Sequence, residues 1–447
     1  MSLRVGMVSL GCAKNQVDAE RMLYKIEEAG YQLVADAALS DIVIVNTCGF
    51  IESAKQEAID TILEFATLKG EGRIKKIVIT GCLAERYREE VAKLIPEADA
   101  VVGLGCNGDI VSVLERIEQG ETVQAFGEKD ALPLTAERVQ TTLSFFSYLK
   151  IAEGCDNRCS YCAIPSIRGR FRSVPMEELI SEAEGLVKNG VRELIVIAQD
   201  TTRYGTDIYG KPMLPELLKK LCEIKELKWI RVLYCYPERV TDELLDVMAS
   251  EDKIVKYMDL PIQHCDGDIL RRMNRSGDEA SLRELIAKIR DKVPGIILRT
   301  TIMTGFPGET EEQFERLAEF VNDMEFDRLG CFAFSAEEGT PAADMDGQLE
   351  EDVKEHRAEV IMDQQMLITV RKNGELVGKT IEVVTEGYDR YGECYFGRSA
   401  GDAPEIDGKI FFTSPGKRQV PGKFLNVKIT DMMDYDLIGE VADESAE

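Results

Sequence analysis

The sequence predicts an α/β protein with two successive strand–helix series followed by a small antiparallel β-barrel. At 447 residues the chain is too long for one ordinary hydrophobic core. Apolar runs rich in Val and Ile alternate with helical patterns up to about residue 372, which is typical of a parallel sheet covered on both faces. Beyond residue 373 the pattern changes to short strands with Gly- and Pro-rich turns.

The first series spans residues 1–127, and a linker is predicted over 128–142, the end of a poorly periodic stretch that starts at Glu121. The predicted strands are Val5–Leu10, Asp41–Asn46, Lys76–Thr80 and a fourth candidate, Asp99–Val102. The predicted helices are Val17–Ala29, Glu52–Ala66 and Ala84–Ile95. We interpret Met1–Leu10 as leading into a first strand rather than as a signal peptide, so a cytoplasmic protein is expected.

The second series, residues 143–372, predicts about six βα units and therefore a partial (β/α)6 barrel with chemistry at the carboxyl ends of its strands. Its predicted strands are Leu143–Ala152, Glu193–Ala198, Trp229–Tyr234, Tyr257–Leu260, Ile296–Thr301 and Arg328–Phe332. Helices such as Met176–Lys188 and Glu311–Asn322 lie between them, and a long helix over Glu350–Lys372 closes the series.

The carboxyl-terminal part, residues 373–442, predicts a small antiparallel barrel. Its predicted strands are Thr380–Thr385, Glu393–Phe396, Lys409–Phe412 and Phe424–Ile429. With 8 basic and 12 acidic residues this part has a net charge of −4.

Charge and cysteine content narrow the class of function. The net charge of −27 opposes stable nucleic-acid binding through phosphates and favours a basic partner. No apolar run is long enough to cross a membrane. Twelve cysteines against two histidines indicate that any metal is bound mainly by thiolates, as in iron–sulfur or zinc sites.

Three cysteines, Cys12, Cys48 and Cys82, each follow one of the first three predicted strands within a few residues. The carboxyl ends of parallel strands meet at one edge of a sheet, so a shared ligand site is expected there. The alternative is three separate, partly buried thiols. Cys106 follows the fourth candidate strand, but its surroundings equally fit a plain turn, so it is left out of the set.

A second set, Cys155, Cys159 and Cys162, forms a CxxxCxxC loop at the start of the second series. Three thiolates at this spacing can each bind one iron of a four-iron cluster, which leaves the fourth iron open to chelate S-adenosylmethionine. Structural zinc usually takes four protein ligands, but the next cysteine is Cys222, 60 residues beyond Cys162. A redox dithiol would need two cysteines rather than three.

Three stretches carry a family resemblance: SLGCAKNQVDAE (9–20), GCDNRCSYCAIPSIRGRFRS (154–173) and IAQDTTRYGTDIYG (197–210). The chain resembles, over nearly its whole length, the methylthiotransferase branch of the radical S-adenosylmethionine superfamily, and most of all the ribosomal-protein aspartate methylthiotransferases. Members often carry Pro where Ala13 stands.

The resemblance implies a flavodoxin-like first domain, a radical barrel and a carboxyl-terminal TRAM domain. It also implies a second, auxiliary [4Fe-4S] cluster on Cys12, Cys48 and Cys82. S-adenosylmethionine would serve as methyl donor and as radical source. The implied product is a β-methylthio-aspartate on a basic small-subunit ribosomal protein, S12, with an external electron donor and a sulfur donor. Two rivals remain: a tRNA adenosine methylthiotransferase and a non-catalytic iron–sulfur electron carrier.

Further residues are candidates for cofactor or substrate contacts. Tyr161 lies between two predicted ligands, Gln199 and Asp200 end a strand, and glycines in the turn TGFPGE leave room for adenosine; these candidates are Tyr161, Gln199, Asp200, Gly305 and Gly308. Arg168 and Arg170, with Arg172 nearby, are candidates for contact with an acidic substrate group or the cofactor carboxylate; the alternative for at least one of the three is solvated surface. The alternatives are a cover over the cluster for Tyr161, a helix N-cap for Asp200 and a tight turn for the glycines. His264 is interpreted as a hydrogen-bonded core residue.

Overall fold

The computed structural model describes residues 3–132 and 134–442. The chain forms two compact units, each built from separate segments. Among the described residues, the first unit contains those up to Thr141 together with Lys150–Val174 and Ser335–Ala343. The second contains Thr142–Leu149, Pro175–Phe334 and residues 344–442.

Residues 3–132 and 134–442 contain nineteen strands. In order they are β1 (Arg4–Ser9), β2 (Gln32–Val34), β3 (Ile42–Thr47), β4 (Lys76–Gly81), β5 (Ala100–Val102), β6 (Val123–Ala125), β7 (Phe146–Lys150), β8 (Ala152–Glu153), β9 (Arg172–Ser173), β10 (Glu193–Ile197), β11 (Trp229–Val232), β12 (Ile254–Asp259), β13 (Ile297–Thr304), β14 (Arg328–Ala333), β15 (Thr380–Asp389), β16 (Cys394–Ser399), β17 (Ile410–Thr413), β18 (Phe424–Met433) and β19 (Asp436–Val441).

The α-helices are α1 (Ala13–Glu28), α2 (Glu52–Gly70), α3 (Cys82–Leu94), α4 (Ile110–Glu118), α5 (Ile164–Arg168), α6 (Met176–Lys188), α7 (Leu214–Cys222), α8 (Asp242–Ser250), α9 (Gly267–Arg272), α10 (Glu279–Lys292), α11 (Glu311–Met324) and α12 (Glu351–Gly374). Short 3-10 turns connect several of them.

The first unit is built on a parallel six-stranded sheet in the order β2-β1-β3-β4-β5-β6. The order of its first five strands, 2-1-3-4-5, is that of flavodoxin-like folds, as predicted. Strand β3 is buried along its whole length because α2 and α3 cover one face of the sheet and α1 and α4 the other. At the amino end of β3, the Arg4 amide lowers the pKa of the Asp41 carboxyl to about 2, with Lys75 adding to the effect against partial burial.

Two short strands of this sheet were not predicted. Strand β2 lies at one edge, and β6, at the other edge, falls inside the aperiodic stretch that starts at Glu121. That stretch is therefore not linker throughout. Three residues are too few to show the two-residue alternation on which strand prediction depends.

The second unit contains a six-stranded sheet in the order β14-β13-β12-β11-β10-β7, and each described pair from β10 to β14 is parallel. Helices alternate with these strands, which confirms the predicted partial barrel. The predicted strand Leu143–Ala152 is shorter in the structure, where β7 covers Phe146–Lys150.

The carboxyl-terminal part of this unit is a closed five-stranded barrel in the order β15-β16-β17-β19-β18. The predicted barrel is present, but the fifth strand, β19, was missed. Because β17 and β19 are parallel, the barrel is not wholly antiparallel as predicted. Its core includes Val383, Phe412, Val427 and Ile429. In the described part of the chain, every helix is too short or too polar to cross a lipid bilayer.

Candidate iron–sulfur sites

The three strand-end cysteines lie near one another at the carboxyl edge of the first sheet. Cys12 is the N-cap residue of α1, Cys82 is the first residue of α3, and Cys48 lies between β3 and α2. A Cβ atom built on Gly11 would lie 2.9 Å from the Cys48 sulfur. The pKa of the Cys82 thiol is raised to about 12, mainly by burial; Arg168 acts to lower it, and Cys12 and Cys48 are close enough to raise it.

Glycine is required where this edge turns into α3. Gly81 has a φ of +94°, and a Cβ atom there would lie 2.4 Å from the Thr47 carbonyl oxygen. Only glycine adopts this conformation without strain in so little space. The turn therefore places Cys82 at the first position of α3, where the partial positive charge of the helix amino end acts against the effect of burial on the thiol.

The thiol of Cys12 lies in a positive environment. Burial raises its pKa, but the charges of Lys14 and Arg168 together with nearby backbone amides outweigh burial, so the net shift is downward. Cys48 shifts the other way, because burial dominates there and its pKa is raised. Cys106 packs beside Gly127 and against the hydrophobic core between the sheet and α1 and α4, which accounts for it without a ligand role.

The second cysteine set lies in a tight loop of the same unit. The Cys155 amide donates to the Gly169 carbonyl at 3.2 Å, and the Cys162 amide to the Cys159 carbonyl at 3.0 Å. Gly154, with a φ of +74°, opens the loop, and a Cβ atom there would lie 2.0 Å from the Arg170 carbonyl oxygen. Burial raises the pKa of the Cys162 thiol, and so do the nearby thiols of Cys159 and Cys155.

A buried charge cluster lies beside the strand-end set and consists of Asp18, Lys150, Glu153 and Arg168. Each of these side chains is at most 1% exposed. Arg168 Nη1 donates to Asp18 Oδ2 at 2.9 Å and to Glu153 Oε2 at 3.0 Å. Lys150 Nζ donates to Glu153 Oε2 at 2.8 Å and also contacts Asp18. Two carboxylates are thus paired with two cations, and this pairing offsets the cost of removing charged groups from water.

Arg168 therefore does not fit the predicted role of binding a substrate group. Its guanidinium is buried and occupied by two carboxylates, and its Nη2 lies 3.7 Å from the Cys82 sulfur. Arg170 is exposed, so it remains a candidate for a substrate contact. The sequence could not show that Arg168 is buried and Arg170 exposed, because the burial of Arg168 depends on how α1 and α3 pack against α5.

Of the polar candidates of the second unit, Asp200 is held by protein partners. The Asp200 carboxylate, which follows β10, accepts from the Thr202 hydroxyl at 2.5 Å and from Arg239 at 2.8 Å. Asp200 stands at the N-cap position of the next 3-10 turn, as that alternative has it, but its side chain makes no capping hydrogen bond. Gln199 is half-buried at the same strand end, and Tyr161 is half-buried between two cysteines of the loop in the first unit.

The glycines of the turn TGFPGE are explained by packing. A Cβ atom on Gly305 would lie 2.2 Å from the Lys354 side chain, and one on Gly308 would lie 1.9 Å from Arg272. The space in front of both glycines is therefore filled by protein. Glu309 fixes the turn because its carboxylate accepts from the Gly305 amide at 3.0 Å. His264, fully buried, accepts a hydrogen bond at Nδ1 from the Asp266 amide at 2.9 Å and is a hydrogen-bonded core residue, as interpreted; its Nε2 lies 3.3 Å from the Glu309 carboxylate.

One element of the first unit was missed by the sequence analysis: the strap, which we define as Ser335–Ala343. Its Glu337 carboxylate accepts from the Glu52 amide at 2.9 Å and from Arg86 at 2.8 Å. Arg86 also donates to the carbonyl of Gly49, next to Cys48, at 2.9 Å. At its other end the Ala342 amide donates to the Ser160 carbonyl, inside the CxxxCxxC loop, at 2.9 Å. The strap contacts both cysteine regions.

Among residues 3–132 and 134–442, no three Cys, His, Asp or Glu side chains are close enough together to hold one metal ion. Three thiolates on three different irons of one cluster lie farther apart than three ligands of one ion. The donor chemistry of both sets fits an iron–sulfur cluster, because each offers three thiols in largely water-free surroundings. At the strand-end set, an arginine N–H directed at a sulfur adds the polar contact that cluster ligands commonly receive.

Three family descriptions match successive parts of the chain. Residues 4–103 match the uncharacterized protein family UPF0004, residues 149–321 the Radical SAM superfamily and residues 377–442 the TRAM domain. Among solved structures, the radical S-adenosylmethionine methyltransferase TsrM from Kitasatospora setae matches with a TM-score of 0.54 at 14% identity, over 76% of this chain and 77% of that one. A likeness at this identity shows the fold alone.

Curated relatives match the chain from end to end. The ribosomal protein uS12 methylthiotransferase RimO of Thermoanaerobacter sp. (strain X514) is 48% identical over 98% of this chain and 99% of its own length. The proteins of the same name from Pelotomaculum thermopropionicum and Clostridium botulinum (strain Eklund 17B / Type B) are 49% and 48% identical, over 98% and 99% of this chain and 99% of their own lengths. The chain therefore belongs to the RimO family of ribosomal protein uS12 methylthiotransferases.

Proposed function

We propose that this chain is a radical S-adenosylmethionine enzyme that adds a methylthio group to the β-carbon of an aspartate in ribosomal protein uS12. The observation that carries the proposal is that one compact unit contains two sets of three cysteines, the strand-end set and the CxxxCxxC loop. The chain also belongs to a family whose curated members are named ribosomal protein uS12 methylthiotransferases. Each set has three thiols and would leave one iron of a four-iron cluster without a protein ligand. An electron carrier needs no second cluster with such an open iron, so the two sets favour an enzyme.

Each three-thiol set is proposed to hold one [4Fe-4S] cluster. Cys155, Cys159 and Cys162 would hold the radical cluster, and Cys12, Cys48 and Cys82 the auxiliary one; Tyr161, Gln199, Asp200, Gly305 and Gly308 remain weaker candidates for contacts with S-adenosylmethionine. When bound, the clusters and two molecules of S-adenosylmethionine supply a 5′-deoxyadenosyl radical for the C–H bond and a methylated sulfur for transfer. Residues 1–127, 143–372 and 373–442 are proposed as the functional divisions around the linker 128–142.

The protein's own residues would prepare the site for this chemistry. Gly81 and Gly154 set the turns that present Cys82 and Cys155. The amino ends of α1 and α3 and the cations Lys14 and Arg168 stabilise negative charge at the strand-end set. Burial around the CxxxCxxC loop excludes water, which would quench a radical or damage a cluster.

The charge of the chain supports a basic protein substrate. A net charge of −27 attracts a basic ribosomal protein and repels the phosphates of tRNA, the substrate of the rival function. Because ribosomal proteins are assembled in the cytoplasm, the proposed substrate places the enzyme there. A sulfur donor and an external electron donor complete the proposed reaction.

The test is an anaerobic reconstitution with iron and sulfide, followed by metal analysis and two activity assays. We expect about eight irons in the parent protein and about four after either cysteine set is changed to alanine. The parent should form 5′-deoxyadenosine and add a mass of one methylthio group to uS12. Modification of tRNA instead of uS12 would establish the rival, and a chain that binds iron without forming 5′-deoxyadenosine would be an electron carrier.

A further inference from the structure

Arg168 divides its guanidinium between two tasks. Its Nη1 donates to the carboxylates of Asp18 and Glu153 at 2.9 and 3.0 Å. Its Nη2 faces the Asn15 side-chain oxygen at 3.4 Å and the Cys82 sulfur at 3.7 Å. The planar fork of an arginine allows this, because its N–H groups point in fixed and different directions.

The carboxylates hold the guanidinium in place rather than cancel its effect on the sulfur. Asp18 and Glu153 also pair with Lys150, so their negative charge is shared between two cations and does not act on Arg168 alone. The Arg168 side chain is 1% exposed, so water neither screens its charge nor replaces its hydrogen bonds. The N–H group aimed at Cys82 is thus fixed by packing before any ligand binds.

We propose that Arg168 is a positioning residue that raises the reduction potential of the auxiliary cluster through its N–H···S contact with Cys82. The inference rests on the proposed function, since it needs a cluster on Cys12, Cys48 and Cys82. A hydrogen bond and a positive charge at a ligating sulfur stabilise the reduced cluster, which has gained one electron and is more negative. Arg168 follows Cys162 by six residues, yet its guanidinium acts on the other cysteine set.

Replacing Arg168 with lysine separates its pairing with the two carboxylates from its contact with the Cys82 sulfur. Arg168→Lys keeps a positive charge for Asp18 and Glu153, but a single ammonium group cannot serve these carboxylates and also reach Cys82. The matched control is Arg138→Lys, since Arg138 pairs with Glu20 at 3.0 Å in the same unit with both side chains at most 3% exposed. Both substitutions perturb a buried arginine–glutamate pair, but only the first touches a predicted ligand.

The experiment measures midpoint potentials by dithionite titration followed by electron paramagnetic resonance. Each substitution is made in two backgrounds: the Cys155, Cys159 and Cys162 to Ala triple variant, which keeps only the auxiliary cluster, and the Cys12, Cys48 and Cys82 to Ala triple variant. We expect Arg168→Lys to shift the auxiliary midpoint to a more negative value and to leave the radical cluster's midpoint unchanged. Arg138→Lys should shift neither.

An auxiliary cluster whose midpoint does not move, or moves equally with Arg138→Lys, would overturn the inference. Where Arg168→Lys lowers iron content, the charge-balanced pair Arg168→Met with Glu153→Gln is measured instead, with the same negative shift expected. The proposed function fails in a different way, because a chain without an auxiliary cluster holds no iron in the first background and offers no potential to measure.

Discussion

Helix α2, the first helix after Cys48, is capped by Glu337, which lies 285 positions after Glu52 in the chain. The N-cap position of α2 is Ile51, whose side chain accepts no hydrogen bond. The carboxylate of Glu337 takes its place by accepting from the Glu52 amide at 2.9 Å. It is only 3% exposed and pairs with Arg86, which is 7% exposed, at 2.8 Å. Glu337→Gln would therefore weaken the cap and leave Arg86 without its counter-ion.

The magnitude follows from burial. Removing one partner of a buried ion pair costs about 3–5 kcal/mol. Arg86 keeps two carbonyl acceptors, Gly49 at 2.9 Å and Glu338 at 2.7 Å, so we expect the lower end, about 3 kcal/mol. In hydrogen exchange this is a loss of protection of about two powers of ten at the start of α2.

The assay is hydrogen–deuterium exchange with mass spectrometry on anaerobically reconstituted protein, read in peptides covering residues 49–56. The control is Glu338→Gln, because Glu338 is exposed and meets Arg86 only through its backbone carbonyl. Protection that stays within about threefold of the parent in Glu337→Gln, or that falls equally in the control, would refute the reasoning.

Three further predictions test other parts of the molecule. Gly154→Ala should remove about four irons per chain in metal analysis, because the added Cβ has no room. The control Gly185→Ala in α6, where a Cβ meets nothing within 4 Å, should keep the full iron content. Asp41→Asn should lower the melting temperature of the metal-free protein at pH 7. The pKa of the Asp41 carboxyl is about 2 in the fold and about 3.9 in the unfolded chain, so its stabilising effect is lost as the pH falls from about 4 to 2. The difference in melting temperature between parent and variant should shrink over that range. Arg398→Met should remove one of the two cations that the buried Glu193 carboxylate now holds, the other being Arg231 at 3.0 Å, so we expect a cost at the lower end of the range for a broken buried pair, about 3 kcal/mol. The carboxyl-terminal barrel should then melt before the larger one in calorimetry.

The long elements and the cysteine sets could be predicted because their signals are local. Strand β3 is a β-branched run interrupted only by Asn46, α6 covers the predicted Met176–Lys188, and each strand-end cysteine follows its strand within a few residues. Parallel topology then places the strand ends at one edge without knowledge of any contact. The clustering of Cys12, Cys48 and Cys82 is therefore a consequence of chain order.

The residues that support the cysteines could not be predicted, because their partners are distant in sequence. Glu337 caps a helix 285 positions earlier, and Arg168 meets Asp18 across 150 positions. In sequence, Arg168 and Arg170 look alike, and only packing buries one and exposes the other. Strand β19 was missed for a related reason: its pairing with β17 depends on closure of the barrel rather than on its own short pattern.

The two cysteine sets share one unit but differ in their electrostatic surroundings, and this difference predicts an order of reduction. The strand-end set has Cys12 and Cys82 at helix amino ends, with Arg168 near both and Lys14 near Cys12. Burial and the neighbouring thiols raise the pKa of Cys162 in the CxxxCxxC loop as they do that of Cys82, but Arg168 opposes them only at Cys82. Positive surroundings stabilise an added electron, so the auxiliary cluster should be reduced first when dithionite is added stepwise to the parent protein. The signals of the two triple-alanine variants identify each cluster, and a radical-cluster signal that appears first would contradict the electrostatic argument.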